Sequence, residues 1–124
     1  MAGSFRDLTV LKKVFSLAME GFEVTKKFPS EEKYALTDQL RRSSRSVCRA
    51  IGEGYRKRQY QKHFSSKMSD AVMENSETQI SLDFAFACQY IAEGKRNNLV
   101  VKSEEVGRLL NHMIEDPEKI QSRK

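Results

Sequence analysis

Between Gln61 and Ala92 the apolar residues of one helical stretch fall on two opposite lines. Phe64, Met68, Ala71, Leu82 and Phe86, with Thr78 among them, share one face. Met73, Ile80, Phe84, Ala87 and Ile91, at spacings of 7, 4, 3 and 4, share the other. An acidic edge of Asp70, Glu74 and Glu77 runs between the two. One layer of neighbours in a small bundle covers only one such face. Self-association through Met73, Ile80, Phe84, Ala87 and Ile91 is the simplest cover for the second.

Three further helical segments accompany it. Over about residues 8–27, Leu11, Val14, Phe15, Ala18 and Phe22 recur as a core face, with Val10, Leu17 and Val24 as a second line spaced by seven. Phe28-Pro29-Ser30 stops that helix, since proline excludes Phe28 from helical geometry. Ser30 is then the expected N-cap of a second helix over 31–55, with Glu31 and Glu32 matched to the positive end of its dipole. Gly52 and Gly54 are expected to loosen its last turns. The third helix spans 61–92 with Gly94 as its C′ residue, and residues 94–98 read as a loop. Ser103 is the expected cap of a fourth helix over 104–115, carrying Val106, Leu109, Leu110, Met113 and Ile114. Pro117 ends it, leaving residues 118–124 as a frayed tail. No β pattern competes, so the expected fold is all-α: one domain, an antiparallel up-down-up-down four-helix bundle.

Charge is distributed unevenly. From Gln39 to Lys67 there are nine Lys or Arg against the single acid Glu53, a local charge of +8 in a chain of +5. Along Leu36–Arg56, Leu36, Leu40, Val47 and Ile51 fall within about 60°, while Arg41, Arg42, Arg45, Arg49 and Arg56 fall within about 100° on the far side. With a pI near 9.3, an anionic partner is favoured. Arginine's planar fork suits phosphate oxygens, which makes Arg41, Arg42, Arg45, Arg49, Arg56, Lys57, Arg58 and Lys62 the candidate nucleic-acid contacts. A structural role stands beside that one: Arg41, Arg42, Arg45 and Arg49 pairing with Asp70, Glu74 and Glu77. Tyr55 and Tyr60 interleave with the charges, as stacking platforms or as anchors closing the bundle end.

Little supports catalysis. His63 and His112 stand alone, outside any Glu-x-x-His pair of the di-metal bundles. Gly52-Glu53-Gly54 follows a helix and lacks the rest of a phosphate loop. No Cys-x-x-Cys spacing suggests a metal, and Cys48 and Cys88 read as small buried thiols in a reducing cytosol. Met19, Met68, Met73 and Met113 read as core filler. The N-terminus lacks the apolar run of a signal peptide, and no stretch approaches the roughly 20 apolar residues of a membrane span. The expectation is a cytoplasmic protein with no enzymatic activity, cofactor, metal or small-molecule substrate.

FRDLTV at residues 5–10, KKFPSEEKYALTDQLRRSSRSV at 26–47, IGEGYRKR at 51–58, ENSETQISLDFA at 74–85 and EEVGRLLNHMI at 104–114 together resemble the four-helix-bundle protein family of bacteria, also called the 23S rRNA intervening-sequence protein family. The resemblance spans nearly the whole chain and rests on the combination FP-x-E-E, L-x-x-Q-L-R-R and E-G-Y. It implies a homopentamer with a basic surface, no established enzymatic activity, and RNA or DNA as the proposed ligand. The chain departs from the pattern at Ala50, before Ile51-Gly52-Glu53-Gly54, where the family commonly carries Asn. Two functions follow from different classes. One is an oligomer binding nucleic acid through its basic surface; the alternative is a scaffold recruiting a nucleic-acid enzyme such as a reverse transcriptase.

Overall fold

The computed structural model describes residues 4–116, which hold four α-helices: α1 Thr9–Thr25, α2 Leu36–Arg56, α3 Gln61–Ala87 and α4 Glu93–Glu115. Single turns of 3-10 helix at Phe5–Asp7 and Ser30–Glu32 precede α1 and α2. Among the described residues there is no strand. The expected frayed tail lies outside them.

Each helix packs on its neighbours in the chain, and α4 closes against α1. Helices α1 and α3 therefore stand diagonally opposite, as do α2 and α4. The core is built in two clusters. Val10 and Val14 of α1, Val47, Ile51 and Tyr55 of α2, Phe64, Met68 and Ala71 of α3, and Val106 and Leu110 of α4 form the first. Leu17 and Val24, Leu36 and Leu40, Leu82 and Ala85, and Leu99 form the second, with Phe28. Burying each such Val, Leu, Ile, Phe or Met side chain contributes about 1.5–3 kcal/mol.

Between the clusters lies a polar belt. Ser43 and Thr78 share a hydrogen bond of 2.8 Å between α2 and α3. The Asn75 amide donates to the Ser103 carbonyl oxygen at 2.9 Å, and the Ser103 hydroxyl donates back to Asn75 Oδ1 at 2.8 Å. Gln79 Nε2 adds a third bond to Ser103 Oγ at 2.9 Å. These groups are mutually satisfied, as polar side chains in a core must be.

Several sequence expectations need correction. Helix α1 buries Val10, Val14, Leu17 and Val24, leaving Leu11, Ala18 and Phe22 half-buried and Phe15 61% exposed. The core direction lies along the line spaced by seven. Ser30 does not cap α2; it starts a separate 3-10 turn, and the chain kinks at Ala35. The Glu32 carboxylate accepts the Leu36 amide at 3.2 Å in its place. Helix α2 continues through Gly52 and Gly54, which lie where neighbouring chain comes close. A side chain at Gly54 would run into Met68 and Lys67 of α3.

The third helix ends at Ala87, short of residue 92. Gln89 takes φ of 65°, and the Tyr90 and Gln89 amides return to the carbonyls of Ala85 and Phe86 at 2.8 and 2.9 Å. That is a Schellman closure made by glutamine, with Gly94 already inside the first turn of α4. Residues 94–98 are helical, and Ser103 is buried within α4. Cys88 is exposed and Cys48 half-buried. Met19 and Met73 are exposed, and Met113 is half-buried, whereas Met68 is fully buried.

Candidate nucleic-acid interface

The apolar line of α2 faces the core, so its arginines are carried outward. None of Arg41, Arg42, Arg45 and Arg49 comes within ion-pair distance, 4.0 Å, of Asp70, Glu74 or Glu77. Arg41 leans toward α1, donating from Nε to Thr25 Oγ1 at 2.8 Å with its guanidinium 4.5 Å from the centre of the Phe22 ring. Arg45 lies 5.8 Å from the same ring. Arg42 meets Asp38 one turn back at 3.3 Å, both well exposed; such a pair is worth under about 1 kcal/mol and weakens with salt.

These four arginines open onto a shallow cleft of about 440 Å³, shared with Lys33, Tyr34, Thr37 and Asp38. Tyr34 stands out on the surface, with Lys33 Nζ 5.3 Å from its ring centre. Five cations therefore surround one acid and one exposed aromatic ring. Chemically, this arrangement suits a polyanion carrying flat rings: guanidinium forks for phosphates and a phenol for stacking. Lys33 and Tyr34 belong to the cleft although neither is among the residues expected from charge density. A signal for them exists in the sequence, a cation and an aromatic two turns before Arg41, just ahead of the kink.

The other candidates are elsewhere. Arg56 lies 5.5 Å from the Phe5 ring. Arg58 folds back on its own helix, 4.0 Å from the buried Tyr55 ring, and donates from Nη1 to the Tyr55 carbonyl at 2.9 Å. Its charge thus helps close the helix end, and Tyr55 is an anchor. Lys57 and Lys62 are exposed. Tyr60 is exposed too, edge-on to His63 at 6.2 Å.

Beside the cleft, a second and larger groove of about 730 Å³ runs between α1 and α2. Phe5, Leu11, Phe15, Cys48 and Gly52 line it, with Arg6, Lys12, Arg49, Glu53 and Arg56 around them. Burial pushes the Cys48 thiol up to about 11, so it stays protonated at neutral pH and is a poor nucleophile. Among the described residues no group of three or more His, Cys, Asp or Glu is placed to hold a metal ion. No helix there is long and apolar enough to cross a membrane.

Of the expected interface residues on α3, Met73, Ile80 and Phe84 are exposed, the last two by 54% and 57%. Ala87 is exposed at the helix end. Ile91 lies past α3 and is half-buried against the second core cluster. Glu74 sits between Glu77 and Asp70; partial burial and those two neighbours raise its pKa, and the field of Arg42 opposes them.

A four-helix, all-α packing with a cationic outer face on its second helix defines the class. Residues 6–112 match the family model described as 23S rRNA-intervening sequence protein, and the chain belongs to that family. A crystal structure of a protein of unknown function, from the S23 ribosomal protein family of Bacteroides thetaiotaomicron VPI-5482, superposes with a TM-score of 0.78. The two share 25% identity, over 86% of this chain and 95% of that one. No curated protein matches the chain.

Proposed function

We propose that the protein is a non-enzymatic, cytoplasmic homo-oligomer of up-down-up-down bundles that binds RNA or DNA through the basic face of α2. The observation that carries this reading is the cleft where Lys33, Arg41, Arg42, Arg45 and Arg49 surround exposed Tyr34 with Asp38 as the one acid. Cations in excess of their acidic partners attract the phosphate backbone and release its counterions. An aromatic face among them accepts a base whatever its identity.

The order in which helices enter the two core clusters supports the alternating orientation. Along the chain α1 and α3 meet the first cluster and then the second; α2 and α4 meet them in reverse. The exposed apolar face of α3 supports self-association, with five subunits as the family resemblance implies. Repeating a weak cationic cleft around such an assembly raises its avidity without any new contact.

The test is purification from cells without nuclease, followed by sequencing of what stays bound. Heterogeneous RNA or DNA should travel with the protein in low salt and leave it in high salt. Protein free of nucleic acid but accompanied by a polymerase would support the scaffold reading.

A further inference from the structure

We propose that the α2 face takes a single strand, laid along the α1–α2 seam with phosphates on arginines and a base against Phe15. The inference rests on the nucleic-acid reading above and deepens it by naming the strand form and its path. Along the seam, arginines of α2 meet phenylalanines of the preceding chain in reverse order. Arg41 and Arg45 stand 4.5 and 5.8 Å from the centre of the Phe22 ring. Arg49 lines the α1–α2 groove together with Phe15, and Arg56 stands 5.5 Å from the Phe5 ring. Arg49 also lines the cleft that holds Tyr34, so cleft and groove form one continuous track. From Arg41 to Arg56 the helix rises about 22 Å, room for about six nucleotides at a stacked spacing of about 3.4 Å.

The acid in the groove does not cancel its charge. Glu53 is engaged by Lys67 of α3 at 3.1 Å. Among the described residues, Arg6, Lys12, Arg49 and Arg56 have no ion-pair partner within 4.0 Å. Four cations therefore border an apolar floor, which suits a polyanion that also carries apolar faces. Phe22 and Phe5 have guanidiniums over their rings, an attraction that holds those cations along the track. Phe15 differs: it is 61% exposed, and among the described residues no cation stands over it. Its open face beside Arg49 offers stacking to a base of any identity. Only an unpaired strand can turn a base outward. A duplex keeps its base faces stacked inside and gains nothing from the apolar floor.

Fluorescence anisotropy with three probes of one length tests this: a mixed-sequence single-stranded DNA, a base-free strand with the same phosphates, and the duplex. Wild type should bind the intact strand about 5- to 100-fold more tightly than the base-free one. Phe15→Leu keeps an apolar, helix-favouring side chain at an exposed position. It should narrow that gap about fivefold or more and leave affinity for the base-free strand and the duplex unchanged. Far-UV circular dichroism checks folding, and light scattering checks assembly. If Phe15→Leu is unfolded, the comparison of the three probes on wild type decides alone. Wild type that binds none of them at low salt overturns the nucleic-acid reading itself. Equal binding of intact and base-free strands, or a gap untouched by Phe15→Leu, overturns the single-strand path and leaves phosphate binding standing. A loss of assembled mass in Phe15→Leu with unchanged affinities assigns the groove to a second copy and overturns the path as well.

Discussion

Asn75 and Ser103 hold each other by two reciprocal hydrogen bonds across the α3–α4 seam, at 2.9 and 2.8 Å and both buried. The nearest atom to a side chain added at Gly107 would be the Asn75 amide, at 3.4 Å, so the helices approach closely there. Asn75→Ala should destabilise the fold by about 1–3 kcal/mol, because buried polar partners lose their bonds. Ser103→Ala should fall in the same range. The double variant should lose less than the sum, since the second change removes a group already orphaned. Urea unfolding of the four proteins measures this, and fully additive losses would contradict the coupling.

Tyr90 and Glu32 join the α3–α4 connection to the start of α2. The phenol donates to Glu32 Oε2 at 2.8 Å while Oε1 of the same carboxylate accepts the Leu36 amide. This hydrogen bond, with burial and the negative charge beside it, pushes the Tyr90 pKa up to about 12 from 10.0. The folded value lies above the unfolded one, so its contribution is fully present below pH 10 and is lost as pH rises toward 12. Wild type should therefore melt above Tyr90→Phe at neutral pH, and the gap should close in that alkaline window. A gap that stays constant throughout that window would rule out this linkage.

Gly54 lies where α3 comes close against α2. The Met68 terminal methyl, which a Gly54 side chain would strike, is fully buried in the first core cluster, and the Lys67 Cβ lies close behind it. Gly54→Val should lower stability by about 1–3 kcal/mol through overpacking, even though glycine is itself a poor helix former. Thermal melts decide it. A variant as stable as wild type would mean that the seam yields more readily than its packing suggests.

The heptad-like spacing of Leu36, Leu40, Val47 and Ile51 makes the core face of α2, and with it the outward arginines, legible in the sequence. Periodicity fails where a special conformation falls on an ordinary residue. The turn after α3 is made by Gln89 at positive φ, whereas Gly94, the residue that advertises such a turn, sits inside α4. Ser103 resembles a cap because serine before Glu104 and Glu105 is a start signal; its buried bond to Asn75 depends on a residue 28 positions away. For the candidate site, charge density points to α2 but not to its tertiary partition. Phe22 draws in Arg41, and Tyr55 holds Arg58. Lys33 and Tyr34 join through a kink at Ala35 that helical periodicity smooths over.

Salt dependence of nucleic-acid binding tests the central claim most directly. Isotherms on single-stranded RNA and on duplex DNA are measured at several salt concentrations, for wild type and for Arg42→Gln with Arg45→Gln. Both residues are exposed on α2, so the fold should be unchanged, and light scattering on the two proteins compares their assembly. Wild type should bind with little sequence preference and weaken steeply with salt. Each phosphate-binding charge removed should flatten the logarithmic slope by about 0.7 on single strands and about 0.9 on duplex, so the two together by up to about 1.4 and about 1.8. No binding by wild type at low salt, or an unchanged slope in the variant, would contradict a nucleic-acid role for the α2 cleft.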